Sequence, residues 1–130
     1  NWLSECTQLT QQNFNGLTSL SSVGECWLQE CHMLTELHFN DLPKLAEVGS
    51  LWMFKCRNLE EVHYKGLVSL VTVEHDWMYG CDSLTQVTFE GLTSLDNVGD
   101  NWLYGCTMLT DVTFNGLPNL ATVGEAWLSF

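Results

Sequence analysis

Positive charge is what this 130-residue chain has least of: four lysines and arginines stand against 16 carboxylates, for a formal net charge of −12. Nucleic-acid binding needs the opposite sign, and anionic membrane surfaces are disfavoured for the same reason. The four bases, Lys44, Lys55, Arg57 and Lys65, all fall in the middle of the chain, which is its least acidic part. Proline is scarce, at Pro43 and Pro118 only. No apolar run approaches the length of a membrane-spanning helix, so membrane insertion is not expected. There is no Asn-x-Ser/Thr sequon and no readable signal peptide; starting at Asn1, the chain is expected to have been processed or cut from something longer. Catalytic signatures are missing as well: no Gly-x-Ser-x-Gly elbow, phosphate loop or His-Glu-x-x-His helix occurs. Cys31 has His32 beside it, but it sits in a repeating position, which argues against an activated thiolate. Neither an enzyme nor a cofactor is expected.

Tryptophan is absent everywhere except in one register. Trp2, Trp27, Trp52, Trp77, Trp102 and Trp127 fall every 25 residues. Cysteine follows four residues later at Cys6, Cys31, Cys56, Cys81 and Cys106, and leucine three further on, from Leu9 to Leu109. Phe14, Phe39, Tyr64, Phe89 and Phe114 come next, then paired leucines, then Val23, Val48, Val73, Val98 and Val123. A fixed period in the range of about 20 to 50 residues with an apolar skeleton is the signature of a stacked-repeat solenoid. The repeats are 1–25, 26–50, 51–75, 76–100 and 101–125, with a partial repeat at 126–130, all in one domain. No single repeat can bury its apolar face, so the core is a column shared between neighbours.

Each repeat divides into three parts. In Trp-Leu-x-x-Cys, apolar residues at i, i+1 and i+4 predict one turn of helix, often preceded by a helix-starting residue such as Asp76, Asp100 or Asn101. In Leu-Thr-x-Val-x-Phe, alternation and β-branched residues predict a strand with Val and Phe inward. In Gly-Leu-x-x-Leu-x-x-Val-Gly, the glycines mark turns around a short extended or 3₁₀ segment. The first repeat carries Gln12 where the others place Leu37, Val62, Val87 or Val112, which suits an edge reached by water. At the other end Trp127 and Leu128 are expected to lie over the fifth repeat as a short lid.

The combined pattern Leu-x-x-Val-x-Phe-x-Gly-Leu-x-x-Leu-x-x-Val-Gly-x-x-Trp-Leu-x-x-Cys-x-x-Leu resembles the BspA-like leucine-rich repeats of bacterial and protist surface proteins. Trp-Leu or Trp-Met here takes the place of that family's Ala-Phe. The resemblance covers all five repeats. It implies an α/β repeat fold: a right-handed leucine-rich-repeat solenoid with a parallel sheet on its concave side. It also implies a cell-surface or extracellular location and a role in adhesion or recognition.

Three groups of side chains are candidates for chemistry. Identical positions in adjacent parallel strands lie about 4.8 Å apart, so the five repeated cysteines form a ladder. They are read as buried small residues donating weakly to carbonyls, since a linear stack offers few tetrahedral ligand sets. Cys26 stands outside the ladder and is the candidate free thiol. The outward strand positions read Gln11/Asn13, Glu36/His38, Glu61/His63, Gln86/Thr88 and Asp111/Thr113. Glu36, His38, Glu61 and His63 are expected to form a square, with Glu60 beside it, that could hold a transition ion or simply form Glu–His hydrogen bonds on a solvated face. Thr85, Thr88, Thr110 and Thr113 form a regular array of the kind that orders water, though threonine is also an ordinary strand residue.

The expected function is non-catalytic recognition of a protein or glycan ligand on the concave sheet, through Gln11, Glu36, His38, Glu60, Glu61, His63, Gln86 and Asp111. The alternative is a structural subunit of a filament or surface layer, a homo-oligomer joined through its terminal repeats, because uncapped solenoids expose strand edges. Ala126-Trp-Leu-Ser-Phe130 and Asn1-Trp-Leu-Ser-Glu5 share one phase of the repeat, so a seamless head-to-tail stack would place both in one corner.

Overall fold

Alternating Val and Phe between polar residues make a strand in every repeat, and the 25-residue period lays each strand on the last. The computed structural model describes residues 2–130. Its long strands are β1 (Gln11–Asn13), β3 (Glu36–Asn40), β5 (Glu61–Lys65), β7 (Gln86–Glu90) and β9 (Asp111–Asn115). Two-residue strands alternate with them: β2 (Ser22–Val23), β4 (Glu47–Val48), β6 (Thr72–Val73), β8 (Asn97–Val98) and β10 (Thr122–Val123). They form two parallel sheets, ordered β1-β3-β5-β7-β9 and β10-β8-β6-β4-β2. Every pairing places residue i beside residue i+25, as in Leu37 with Val62 and Val48 with Val73. This is a parallel solenoid of about five coils. No helix among the described residues is long and apolar enough to cross a membrane.

The expected helical turns at Trp-Leu-x-x-Cys are not there: ten strands make up all the regular structure of the described residues. The backbone conformation explains the difference. Cys26, Leu28 and Glu30 have φ of 59°, 60° and 54°, and the equivalent corner residues of the other coils are also left-handed. Such alternation turns successive N–H groups to opposite sides. Cys26 N–H donates to Ser50 of the next coil (2.9 Å), Leu28 N–H to Trp2 of the previous one (3.2 Å), and Glu30 N–H to Phe54 of the next (2.8 Å). The corner is therefore a tight turn stitched to both neighbours. A left-handed non-glycine residue costs about 1–2 kcal/mol. Burying its large side chain returns about 1.5–3 kcal/mol, which offsets the cost at Leu28, Met53, Met78 and Leu103, all wholly buried. The left-handed residues on either side of them are held by the inter-coil bonds.

The core contains no buried polar or charged residue among those described. Its spine is two aromatic columns. The six tryptophans stack with centroids 5.1–5.6 Å apart, and the Phe/Tyr column packs edge-on against them at about 70°. Both geometries are favoured for aromatic pairs, at about 0.5–1.5 kcal/mol each beyond burial. Trp127 stacks on Trp102 and Leu128 N–H bonds Trp102 O (3.0 Å), so the C-terminal segment does lie over the fifth coil. Gln12 is half-buried in the middle of edge strand β1, its amide donating to Asn13 O.

One position breaks the symmetry of the columns. Tyr64 replaces phenylalanine, and its buried hydroxyl accepts from Trp77 Nε1 (2.9 Å) between the sulfurs of Met53 and Met78. Burial holds this phenol well above its ordinary pKa, so it stays neutral. Trp27, Trp52 and Trp102 bury their indole N–H with no partner. Tyr64→Phe, which leaves Trp77 like the others, should lower stability by about 1–3 kcal/mol, read from urea unfolding; an unchanged midpoint would show that the pair contributes nothing.

Candidate functional site

Because Leu37, Phe39, Val62 and Tyr64 face the core, their strand neighbours Glu36, His38, Glu61 and His63 face out. Register sets Glu36 beside Glu61 and His38 beside His63. Within β3, His38 Nε2 lies 2.7 Å from Glu36 Oε1; within β5, His63 Nε2 lies 3.5 Å from Glu61 Oε2. The imidazoles stack with centroids 5.1 Å apart at 10°. Gln11 donates to Glu36 Oε2 (3.3 Å) from β1. Like carboxylates on adjacent strands repel, and pairing each with the imidazole two residues on relieves that strain without crossing strands.

The expected square is thus two parallel Glu–His pairs. Among the described residues no three His, Cys, Asp or Glu side chains converge as metal ligands do. Glu60 lies one residue before β5 and shares a shallow dent of about 160 Å³ with Thr35, Glu36 and Glu61; a second dent of about 280 Å³ lies over Gln11–Asn13, Glu36 and His38. Gln86 stands next to Glu61 in register and Asp111 beyond it. The face is broad, shallow and acidic, with side chains about a third to a half exposed. Small-molecule pockets are concave and mostly apolar; this surface suits a macromolecule. The threonine array is less free than its spacing suggests, since Thr85 and Thr110 donate their hydroxyls to the carbonyls of Glu60 and Thr85 in the preceding coil (3.1 and 3.2 Å).

The sequence profile described as "BspA type Leucine rich repeat region" matches residues 1–129 in six copies. The chain belongs to this family. Among solved structures it is similar to a leucine rich cell surface protein from Faecalibacterium prausnitzii A2-165 (14% identity, 87% of this chain and 34% of that one, TM-score 0.43). It is also similar to the leucine rich repeat protein of T. pallidum (16% identity, 82% of this chain and 66% of that one, TM-score 0.31). The chain spans about a third of the first and about two thirds of the second. No curated protein matches it.

In this BspA-type chain all six cysteines are free thiols. The ladder sulfurs donate to carbonyls 28 residues earlier: Cys31 to Leu3 (3.1 Å), Cys56 to Leu28 (2.9 Å), Cys81 to Met53 (3.1 Å) and Cys106 to Met78 (3.1 Å). Hydrogen bonding to a neighbouring thiol, Cys31 for Cys56 and Cys106 for Cys81, and burial together hold both well above the usual cysteine range. Cys6 and Cys26 are half-buried. Two features escaped sequence reasoning: the hydroxyl–indole pair of Tyr64 and Trp77, and hollows of about 530 and 460 Å³ along the short-strand sheet, where Glu25, Glu47 and Glu74 gather. The tyrosine alone in a phenylalanine column was the signal for the first; the second depends on depth, which a pattern does not carry. Native alkylation at pH 8 should label Cys26 and Cys6 while sparing Cys56, Cys81 and Cys106, and urea should open all six; mass spectrometry decides, and fast native labelling of Cys81 would contradict a closed ladder.

Proposed function

We propose that the chain is a non-catalytic recognition module that binds a protein or glycan ligand across its long-strand sheet. Leucine-rich repeats commonly mediate protein binding, and this chain is one of them. The observation carrying the reading is the outward row of Glu36, His38, Glu60, Glu61 and His63, flanked by Gln11, Gln86 and Asp111, on a shallow exposed face with unfilled acceptor capacity. Repeat solenoids place recognition on such faces. The acidic row favours a ligand with basic or hydrogen-bond-donating groups, and the attraction weakens with salt. A cell-surface or extracellular setting accords with the family.

The test is a panel of immobilised extracellular-matrix proteins and a glycan array. A partner that binds the parent chain should lose about tenfold or more in affinity with Glu36→Lys plus Glu61→Lys and keep it with Glu47→Lys plus Glu74→Lys on the other sheet. The reverse pattern moves the site off the long-strand sheet.

One observation favours a second reading, a self-assembling subunit of a filament or surface layer. The core positions sealed in the inner coils open at the last one, where Phe114 and Trp127 are 42% and 41% exposed. Apolar ends with unpaired edge strands such as β9 template association. On this reading, light-scattering mass rises with concentration, and reductant reverses the rise if Cys26 is the joint. A constant monomer mass leaves the recognition reading alone.

A further inference from the structure

The corner backbone is left-handed at the fifth position of each coil: Glu5, Glu30, Lys55, Gly80 and Gly105 have φ of 56°, 54°, 55°, 65° and 73°. Three coils adopt this conformation with a full side chain, so glycine is not required for it. Gly105 contributes empty space, whereas Gly80 is buried and a Cβ there would press on Lys55 Cγ at 3.3 Å. A Cβ on Gly105 would meet only the backbone of Gly80, at 3.7 Å. The result is a hollow of about 290 Å³ floored by these two glycines.

Its lining differs from the rest of this acidic surface. Tyr79 and Tyr104 stack with Phe54 as a surface column, with centroids 5.1 Å apart. Phe54 and Tyr104 cover the two faces of Tyr79, Tyr104 ends the column partly exposed, and both tyrosines line the hollow. Lys55 and Arg57, two of the chain's four bases, line the same hollow. Lys55 Nζ sits 4.9 Å from the Phe54 ring. Arg57 reaches Asp82 at 3.8 Å, and both are more than half exposed, so this pair is loose and the guanidinium keeps donors to spare. Thr107 completes the polar edge.

A peptide strand would need open backbone, and there is none on the floor: Gly80 N–H is bonded to Tyr104 O and Gly105 N–H to Ser129 O, both at 2.8 Å. A long polyanion meets the field of a chain carrying −12. A single carboxylate at short range meets chiefly Lys55, Arg57 and Asp82, a local balance of one positive charge, since charges beyond about 8 Å are largely screened at physiological salt. We propose that this hollow is a second ligand site, separate from the Glu/His face, for an acidic saccharide unit such as a hexuronate. Lys55 and Arg57 take the carboxylate. Asp82, Thr107 and the phenols bond the ring hydroxyls, and the sugar's C–H surface lies over Gly105.

The experiment is an amide-resolved NMR titration of the whole chain with methyl galactosiduronic acid, which carries one carboxylate, and with its methyl ester, at physiological salt. The acid should shift the Gly80, Gly105 and Thr107 amides saturably, and the ester should bind about tenfold more weakly or worse. Arg57→Gln should cost a similar factor. Gly105→Glu should abolish binding with the remaining spectrum intact, because Glu30 already holds that residue in that conformation. Shifts confined to β3 and β5, no shift up to about 10 mM sugar, equal binding of acid and ester, or full binding by Gly105→Glu would each overturn the assignment. Shifts confined to β3 and β5 would place the sugar on the long-strand face instead; the other outcomes leave that face untouched, and Glu36→Lys plus Glu61→Lys tests it separately.

Discussion

The parallel hydrogen-bond register that sets residue i beside residue i+25 is the constraint on which everything else in this structure rests. It fixes a coil spacing near 5 Å, and each column inherits it. Tryptophan centroids 5.1 Å apart, the thiol ladder and the stacked imidazoles are one spacing seen in different side chains. The aromatic rings do not set this distance, since offset pairs tolerate centroid separations of about 4.5–7 Å; the backbone sets it and the rings accept it. A register slip of one residue would turn every buried strand side chain to water, which is why a 25-residue period is kept without insertion.

The same register explains how a helix-less corner survives. Fifteen non-glycine residues among those described have positive φ, nearly all at corners, a conformation that costs about 1–2 kcal/mol per residue without tertiary support. Each corner is held from both sides by inter-coil bonds and from inside by a buried tryptophan and its neighbour. The strain is thus spread over a cooperative stack, in which a coil depends on the coils above and below.

That dependence decides what was legible in the residues. Strand positions, their inward and outward faces, the thiol ladder and the Glu/His row all follow from period and alternation, because these need only the coil-on-coil register. The corner was misread because Trp-Leu-x-x-Cys has the same apolar spacing in a helical turn as in a left-handed turn; the sign of φ at Leu28 or Met78 leaves no mark in a pattern. The metal square was half legible. Alternation correctly placed Glu36, His38, Glu61 and His63 together, but not the choice of each histidine for the carboxylate on its own strand over the one across. The glycine hollow was missed because nothing at Gly80 alone is unusual; it shows only when the fifth position is compared across stacked coils.

The two surfaces then divide by depth and charge. The long-strand face is regular, acidic and shallow, and its alternation follows from the core it covers, so it can vary residue by residue without disturbing the stack. The corner hollow arises by subtraction: a side chain omitted at Gly105, where the backbone permits one, beside the aromatic column and two of the few cations. A solenoid makes recognition surfaces in both ways, by decorating the outward strand positions and by leaving gaps in an otherwise filled column. The second way needs a neighbouring coil to supply the walls, so a binding surface of that kind is a property of adjacent repeats and never of one.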